Sequence, residues 1–171
     1  MQVLTRKGAV FSPCKGYRYT LWRAWDSDKP SCIFIGLNPS TADETEDDPT
    51  IRRCIRFARD WDCGAMYMLN LFAIRGTDPK SMLAAPNPIG CHNNEYLKLA
   101  SFLSGALIVC AWGAHGGHLK RDREVSELLN HCNLMCLGHT KAGHPKHPLY
   151  LRADTPLVPY TPPTGEPPHG N

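Results

Sequence analysis

Four apolar segments constrain the fold of this chain more than any other feature. They run from Ser31 to Asn38, Ala65 to Phe72, Gly105 to Gly113 and Asn133 to Gly138. Nearly every position in them is apolar, which is typical of strands that are covered on both faces. Helical patterns occupy residues 48–61, 89–104 and 118–131 between them, and the first opens on an N-cap pair, Asp48 and Pro49. This alternation predicts an α/β fold: a three-layer α/β/α sandwich with a central, mostly parallel four-stranded sheet.

The domain organisation follows from length and from the last residues of the chain. With 171 residues the chain is long enough for one domain with a sizeable core, which we place at residues 1–155. Residues 17–25 fit an additional antiparallel edge strand. Residues 156–171 are rich in proline and glycine, so we expect a C-terminal tail without packed structure of its own.

Composition excludes several classes of protein. A net charge of +3 permits a polyanionic partner without requiring one. Neither an apolar leader region nor a run of about 18 apolar residues occurs, so we expect a cytoplasmic protein with no membrane partner. Cys32 and Cys110 lie inside apolar runs and no C-x-x-C is present. We therefore predict buried reduced thiols, no metal and no cofactor. Phosphate-binding and dinucleotide-binding glycine motifs are also missing.

The carboxyl ends of parallel strands lie at one edge of a sheet, and ligands bind there. Residues suited to binding lie at or after the ends of all four predicted strands. They are Gly36, Leu37, Asn38, Pro39 and Ser40 at the end of the first strand, Asn70 near the end of the second, Trp112 and His115 at the end of the third, and Lys146, His147 and Tyr150 in the last loop. We therefore predict one site at this edge.

Each of these side chains also has a purely structural interpretation. Asn38 suits the positioning of a water or a base edge, but Asn-Pro-Ser is common turn chemistry. The same two alternatives hold for Asn70. His147 and Lys146 suit binding of an anion, or they belong to a solvated surface loop. Asp43, in the acidic run 43–48, is a candidate general base for water, and the alternative is a solvated loop that caps a helix.

The order of these motifs resembles the uracil-DNA glycosylase superfamily. The corresponding segments read GLNPS, YMLNLF, IVCAWGAHG and KHPLYLR, in the order of that family. More closely, residues 17–152 resemble a bacterial and phage family, number 1643 among the domains of unknown function. The glycosylase resemblance implies that Asn38 positions the attacking water, Asn70 reads the edge of a flipped base, and His147 stabilises the departing base anion.

The chain also departs from the glycosylase pattern. Asn38 stands where an aspartate is usual, and Ser40 and Thr41 stand where an aromatic ring would stack on the base. Leu149 or Tyr150 would have to serve as the wedge that fills the gap in the duplex. The four-cysteine pattern of an iron–sulfur branch is lacking.

Three functions are compatible with these observations. The first is a monomeric DNA glycosylase that hydrolyses the N-glycosidic bond of a modified or mismatched base in single- or double-stranded DNA. The second is a non-catalytic protein that binds a nucleobase, a nucleotide or a nucleic-acid end on the same fold. The third is a metal-dependent hydrolase that uses Asp43, Asp47, His115 and His144.

Overall fold

A computed structural model describes residues 6–163, which form an α/β fold around one seven-stranded mixed sheet. The strands are β1 Arg6–Phe11, β2 Arg18–Ala24, β3 Ser31–Gly36, β4 Ala65–Asn70, β5 Leu107–Cys110, β6 Leu134–Cys136 and β7 Val158–Pro159. The helices are α1 Pro49–Asp60, α2 Pro79–Ala84, α3 Asn93–Ser101 and α4 Arg121–Leu128. Two 3₁₀ segments, Ala114–Lys120 and Pro148–Tyr150, complete the described elements.

The sheet is larger than the sequence predicts. Its strand order is β1-β2-β4-β3-β5-β6-β7. Only the four inner strands β4, β3, β5 and β6 run parallel, as expected, while β1 and β2 extend the sheet antiparallel at one side and β7 at the other. The prediction of four strands is therefore wrong in number. Strand β2 falls in residues 17–25, where an antiparallel strand is predicted, but it is not at the edge because β1 pairs with its outer side. Strands β1 and β7 are not predicted, because neither forms a continuous apolar run.

Two separate apolar cores cover the two faces of the sheet. Phe34, Met66 and Val109 pack with α1 in one core, whereas Ile35, Leu69 and Ile108 pack with α2, α3 and α4 in the other. Successive strand residues alternate between these cores, as the two-residue period of a strand requires. Burial on both faces explains why the inner strands are apolar at nearly every position.

Local backbone geometry makes the helices shorter than their sequence patterns. Gly90 has a φ of +84°, so the predicted helix 89–104 starts later, at Asn93. Leu119 and Lys120 have φ values of +54° and +56°, which places the start of α4 after them at Arg121. Such left-handed residues interrupt a right-handed helix. The first helix begins at Pro49, as predicted, with Asp48 as its cap.

Part of the predicted tail belongs to the sheet. Val158 and Pro159 pair with β6, and Tyr160 is buried against the indole of Trp112 with ring centroids 5.1 Å apart. The expectation that residues from 156 onward lack packed structure does not hold for this segment. The remainder of that tail, residues 164–171, lies outside the described residues.

Two further expectations concern thiols and membrane spans. Cys32 and Cys110 are buried and unpaired, as predicted from the apolar runs around them. Across residues 6–163, none of the helices has the length and apolarity that crossing a membrane requires.

Candidate functional site

A cavity of about 360 Å³ opens at the carboxyl ends of the inner strands. This volume lies in the range of about 300–1,000 Å³ that is typical of small-molecule sites. Its wall is formed by Arg18, Gly36, Leu37, Asn38, Ser40, Asp48, Thr50, Ile51, Met68, Asn70, Gly76, Thr77, Pro79, Ala111, Trp112, Gly113, Ala114, His115, His147 and Pro148. The cavity therefore lies where the rule for parallel sheets predicts a ligand.

The cavity brings together most of the predicted site residues. Eight of them line it, namely Gly36, Leu37, Asn38, Ser40, Asn70, Trp112, His115 and His147. Four do not: Pro39 is buried behind the wall, Asp43 lies in the following loop, Lys146 is exposed, and Tyr150 is 91% exposed. Trp112 is buried to 2% exposure, so its ring offers little free surface for stacking on a base.

The amide of Asn38 is fixed by main-chain oxygens. Its Nδ2 donates to Gly76 O at 3.0 Å and Pro39 O at 3.2 Å, with Ile74 O at 3.4 Å. Only the contact with Pro39 O is local; the other two join the loop after β3 to residues 74 and 76. They also settle which end of the amide is available, because an occupied Nδ2 leaves Oδ1 as the group that can accept a hydrogen bond.

Asn70, the last residue of β4, has an unsatisfied amide in the cavity wall. Its side chain is 3% exposed, and its Nδ2 has no hydrogen-bond partner among residues 6–163. Buried polar groups are usually paired, so an orphan donor that lines a cavity indicates a binding position. The backbone behind it is fixed separately, because Asn93 Nδ2 donates to Asn70 O at 2.9 Å.

His147 lies at the exposed rim of the cavity in a defined tautomer. Its Nδ1 accepts the backbone N–H of Leu149 at 3.2 Å. Desolvation by the surrounding protein lowers the pKa of His147 from 6.5, although the charge of Asp48 acts in the opposite direction. The ring is therefore neutral at pH 7, and its proton is on Nε2, where it can donate to a ligand.

The acidic run 43–48 is an ordered loop in which each aspartate has its own partner. Asp43 Oδ1 accepts the backbone N–H groups of Thr45 and Glu46, both at 2.8 Å, and these bonds lower the pKa of Asp43. Asp47 pairs with the buried Arg23 at 2.8 Å. Asp48 accepts the N–H of Ile51 at 2.9 Å and caps α1. Of the three, only Asp48 lines the cavity.

Arg18, at the start of β2, adds a buried cation to the wall. It is 2% exposed and donates from Nη1 to Ala42 O at 2.8 Å, while its Nε has no partner among the described residues. Burial lowers the pKa of Arg18 to about 10, and the nearby charge of Asp48 partly offsets this effect. The guanidinium therefore remains protonated at neutral pH.

Sequence reasoning missed Arg18 as a site residue, and it placed Asp48 both as a helix cap and among the acidic residues of the run 43–48 that could act as general base. The signal for Arg18 is an arginine near the start of the mostly apolar run YRYTLWRAW, which also contains Arg23. Because β2 runs antiparallel to β4, its first residue lies at the edge where the parallel strands end. An arginine at the start of a strand that pairs antiparallel with a parallel sheet is therefore a candidate site residue.

The remaining charges near the cavity are engaged locally. Along α1, Arg52 and Arg53 donate to the main-chain oxygens of Asp47 and Leu151, Arg56 pairs with Asp60, and Arg59 stacks on Trp25. These contacts leave no free row of arginines on that helix. Over residues 6–163, no three side chains of the types His, Cys, Asp and Glu are grouped closely enough to hold a metal ion.

Comparison with known proteins identifies a family but not an activity. Residues 18–149 match the model of a family described as "Protein of unknown function (DUF1643)". No curated protein and no solved structure matches the chain. The matched range extends from Arg18 to Leu149 and therefore contains every residue that lines the cavity. On this match, the chain belongs to the DUF1643 family of proteins of unknown function.

Proposed function

We propose that the protein hydrolyses the N-glycosidic bond of a modified or mismatched base in DNA and holds that base in the cavity. The observation that carries the proposal is the Asn70 amide: its Nδ2 is buried without a partner among the described residues, and Asn70 lines the cavity together with Asn38 and His147. An unpaired buried donor discriminates strongly between ligands, because only a base that presents an acceptor satisfies it.

The glycosylase-like architecture belongs to this proposal. It is supported by the four parallel inner strands, by helices packed on both faces of the sheet, and by motif residues from three strand ends in one cavity wall. The antiparallel strands at both sides of the sheet extend it beyond the four strands of the predicted glycosylase-like sandwich.

In the proposed reaction, the bond between the sugar C1′ and the base nitrogen breaks, and its electron pair leaves with the base. His147 donates from Nε2 to the anion that forms, which suits a neutral imidazole whose Nδ1 is already engaged. Asn38 accepts a hydrogen bond from the attacking water through Oδ1, because its Nδ2 is held by the main chain.

In this reaction the general base for the attacking water is Asp48, a role for which the sequence favours Asp43. Asp43 is occupied by its own turn and lies outside the wall, whereas Asp48 lines the cavity and is 9% exposed. One oxygen of Asp48 caps α1 through Ile51 N. The other oxygen is the proposed acceptor of the water proton.

End-labelled oligonucleotides that each carry one modified or mismatched base test the proposal. Strand breaks after alkali at one type of base, reduced about 100-fold by Asn38→Ala, are the expected result. Asn133→Ala is the matched control, since Asn133 is an exposed asparagine that precedes β6 at the opposite edge of the sheet. If the wild-type protein releases no base from any oligonucleotide, the catalytic proposal fails.

A second candidate function is non-catalytic binding of a nucleobase or nucleotide in the same cavity. Two observations favour it: the Trp112 ring is buried and offers little stacking surface, and the α1 arginines are engaged within the protein. Calorimetric titration distinguishes the two functions. Tight binding of a mononucleotide without release of a base from any strand supports the non-catalytic binding function. Affinity for duplex DNA that falls steeply with salt supports a DNA substrate.

A further inference from the structure

Arg18 differs from the other two fully buried arginines of the described chain. Arg23 forms an ion pair with Asp47 at 2.8 Å, and Arg121 forms one with Glu124 at 2.9 Å. No ion pair among residues 6–163 includes Arg18. The protein therefore pairs two of its buried guanidinium groups and leaves the one in the cavity wall unpaired.

The hydrogen bonds of Arg18 are equally incomplete. A guanidinium carries five N–H donors. Arg18 uses one of them, from Nη1 to Ala42 O at 2.8 Å, and its buried Nε has no partner in the described chain. A buried charge with so few acceptors and no ion pair is unfavourable, and Asp48 offsets it only at longer range, without contact. Arg18 is one of the residues that line the cavity.

We infer that Arg18 binds an oxyanion, a carboxylate or a phosphate, that the ligand carries into the cavity. The guanidinium fork matches two oxygens of such a group, and charge-assisted bonds of this kind are about twice as strong as neutral ones. Asn70 Nδ2 provides a second unpaired donor in the same cavity.

Asp48 limits what the ligand can be. Its carboxylate lines the same wall, so an anion bound to Arg18 also experiences repulsion from Asp48. The capping bond from Ile51 N and the position at the start of α1 reduce that repulsion, because a helix N-terminus stabilises negative charge. The part of the ligand that enters the cavity fits this balance better with one oxyanion than with several.

This inference rests on the proposed function for the choice of the cavity, and it adds the chemical class of the ligand. An oxyanion can come from two sources in a nucleotide-like ligand. One is a carboxylate on the base and the other is a phosphate on the sugar. Both place oxygens against the guanidinium, and paired probes that differ in one group distinguish them.

Calorimetric titration of the full chain with two pairs of probes is the test. One pair is uracil and uracil-6-carboxylate, and the other is deoxyuridine and its 5′-monophosphate. In at least one pair, we expect the charged probe to bind the wild-type protein ten to one hundred times more tightly than its uncharged parent. The pair that shows this preference identifies the source of the oxyanion.

Variants then assign the preference to Arg18. Arg18→Gln should abolish it, while Arg56→Gln should keep it, since Arg56 is an exposed arginine on the far part of α1. Should the glutamine variant not fold, Arg18→Lys is the second variant. It keeps the charge without the guanidinium fork and should weaken binding of the charged probe about tenfold. Equal binding of charged and uncharged probes to the wild-type protein, or no binding of either charged probe, overturns the inference without any variant.

The titration with charged probes and the assay for release of a base test the two proposals separately. A protein that prefers charged probes but releases no base from any oligonucleotide contradicts the glycosylase and retains the oxyanion site. A protein that releases a base but binds charged and uncharged probes equally retains the glycosylase and contradicts the oxyanion site.

Discussion

At the scale of single residues, the cavity depends on a glycine that faces the Asn70 amide. Gly36 and Asn70 are register partners in the parallel pair of β3 and β4. A Cβ added at Gly36 would lie 2.8 Å from Asn70 Oδ1, closer than such atoms approach one another. The glycine therefore leaves room for the amide at the tip of the neighbouring strand, a role that has nothing to do with backbone freedom.

Gly36→Ala should displace the Asn70 amide and weaken ligand binding at least tenfold, with a smaller effect on stability of about 1–2 kcal/mol from overpacking. Titration with the best-bound probe and urea unfolding measure the two effects. Gly16→Ala is the control, because its added Cβ meets only the exposed end of Cys14 at 3.4 Å. Unchanged affinity in Gly36→Ala would show that the position of Asn70 does not matter for binding.

His147 gives a prediction about pH. Its pKa is lowered below 6.5 in the folded protein, chiefly by desolvation, so the folded state takes up a proton less readily than the unfolded chain. The resulting contribution to stability is present above the unfolded pKa and is lost as the pH falls below it. Protonation also removes the acceptor for Leu149 N–H.

Urea unfolding at about pH 7 and about pH 5 checks this sign. We expect the free energy of unfolding to fall less between these two values in His147→Gln than in the wild-type protein. Direct proton NMR titration of His147 should give a pKa below 6.5.

At the scale of elements, helix α1 and its cap link stability to the site. Asp48 holds the N-terminus of the helix through Ile51 N at 2.9 Å, and the same carboxylate lines the cavity near Arg18. One side chain thus has a structural and an electrostatic role. The two roles are separable by substitution, because asparagine also caps helices well but carries no charge.

Asp48→Ala should lower the free energy of unfolding by about 1 kcal/mol relative to Asp48→Asn, measured by urea unfolding. Asp48→Asn should fold like the wild-type protein but lower the pKa of His147 further, because the charge of Asp48 raises that pKa. Asp60→Asn, at the exposed end of α1, serves as the control and should change neither quantity. Equal stability of the alanine and asparagine variants would argue against the capping role.

Some of these elements could be predicted from the sequence and others could not. The inner strands were predictable because burial on both faces requires continuous apolar runs, as in residues 31–38. Helix α2, with six residues, is too short to show a period, and the start of α4 depends on the left-handed Leu119 and Lys120. The rule of strand ends predicted the place of the cavity, and eight of the twelve predicted site residues line it. Arg18 was not assigned to the site, although residues 17–25 were predicted as an antiparallel strand, because its place depends on the register of β2 with β4, which no local pattern reveals.

At the scale of the whole molecule, the C-terminal segment closes one side of the sheet and supports the cavity from behind. Strand β7 pairs with β6, and Tyr160 packs edge-on against Trp112 and stacks on His139. Trp112 is part of the cavity wall, so residues far along the sequence fix a surface that the ligand would contact. A proline-rich sequence hides this role, since prolines at the sheet edge need not donate to the ladder.

A chain that ends at Thr155 should therefore be less stable than a chain that ends at Pro163. We expect a difference of about 3–5 kcal/mol in the free energy of unfolding, comparable to the removal of one large buried aromatic side chain. Thermal unfolding of the two chains measures it, and Tyr160→Ala in the longer chain should reproduce most of the loss. Both changes should also shift the fluorescence of Trp112, because the indole loses its aromatic neighbour. Equal stability of the two chains would place the end of the folded domain at residue 155 and make β7 dispensable.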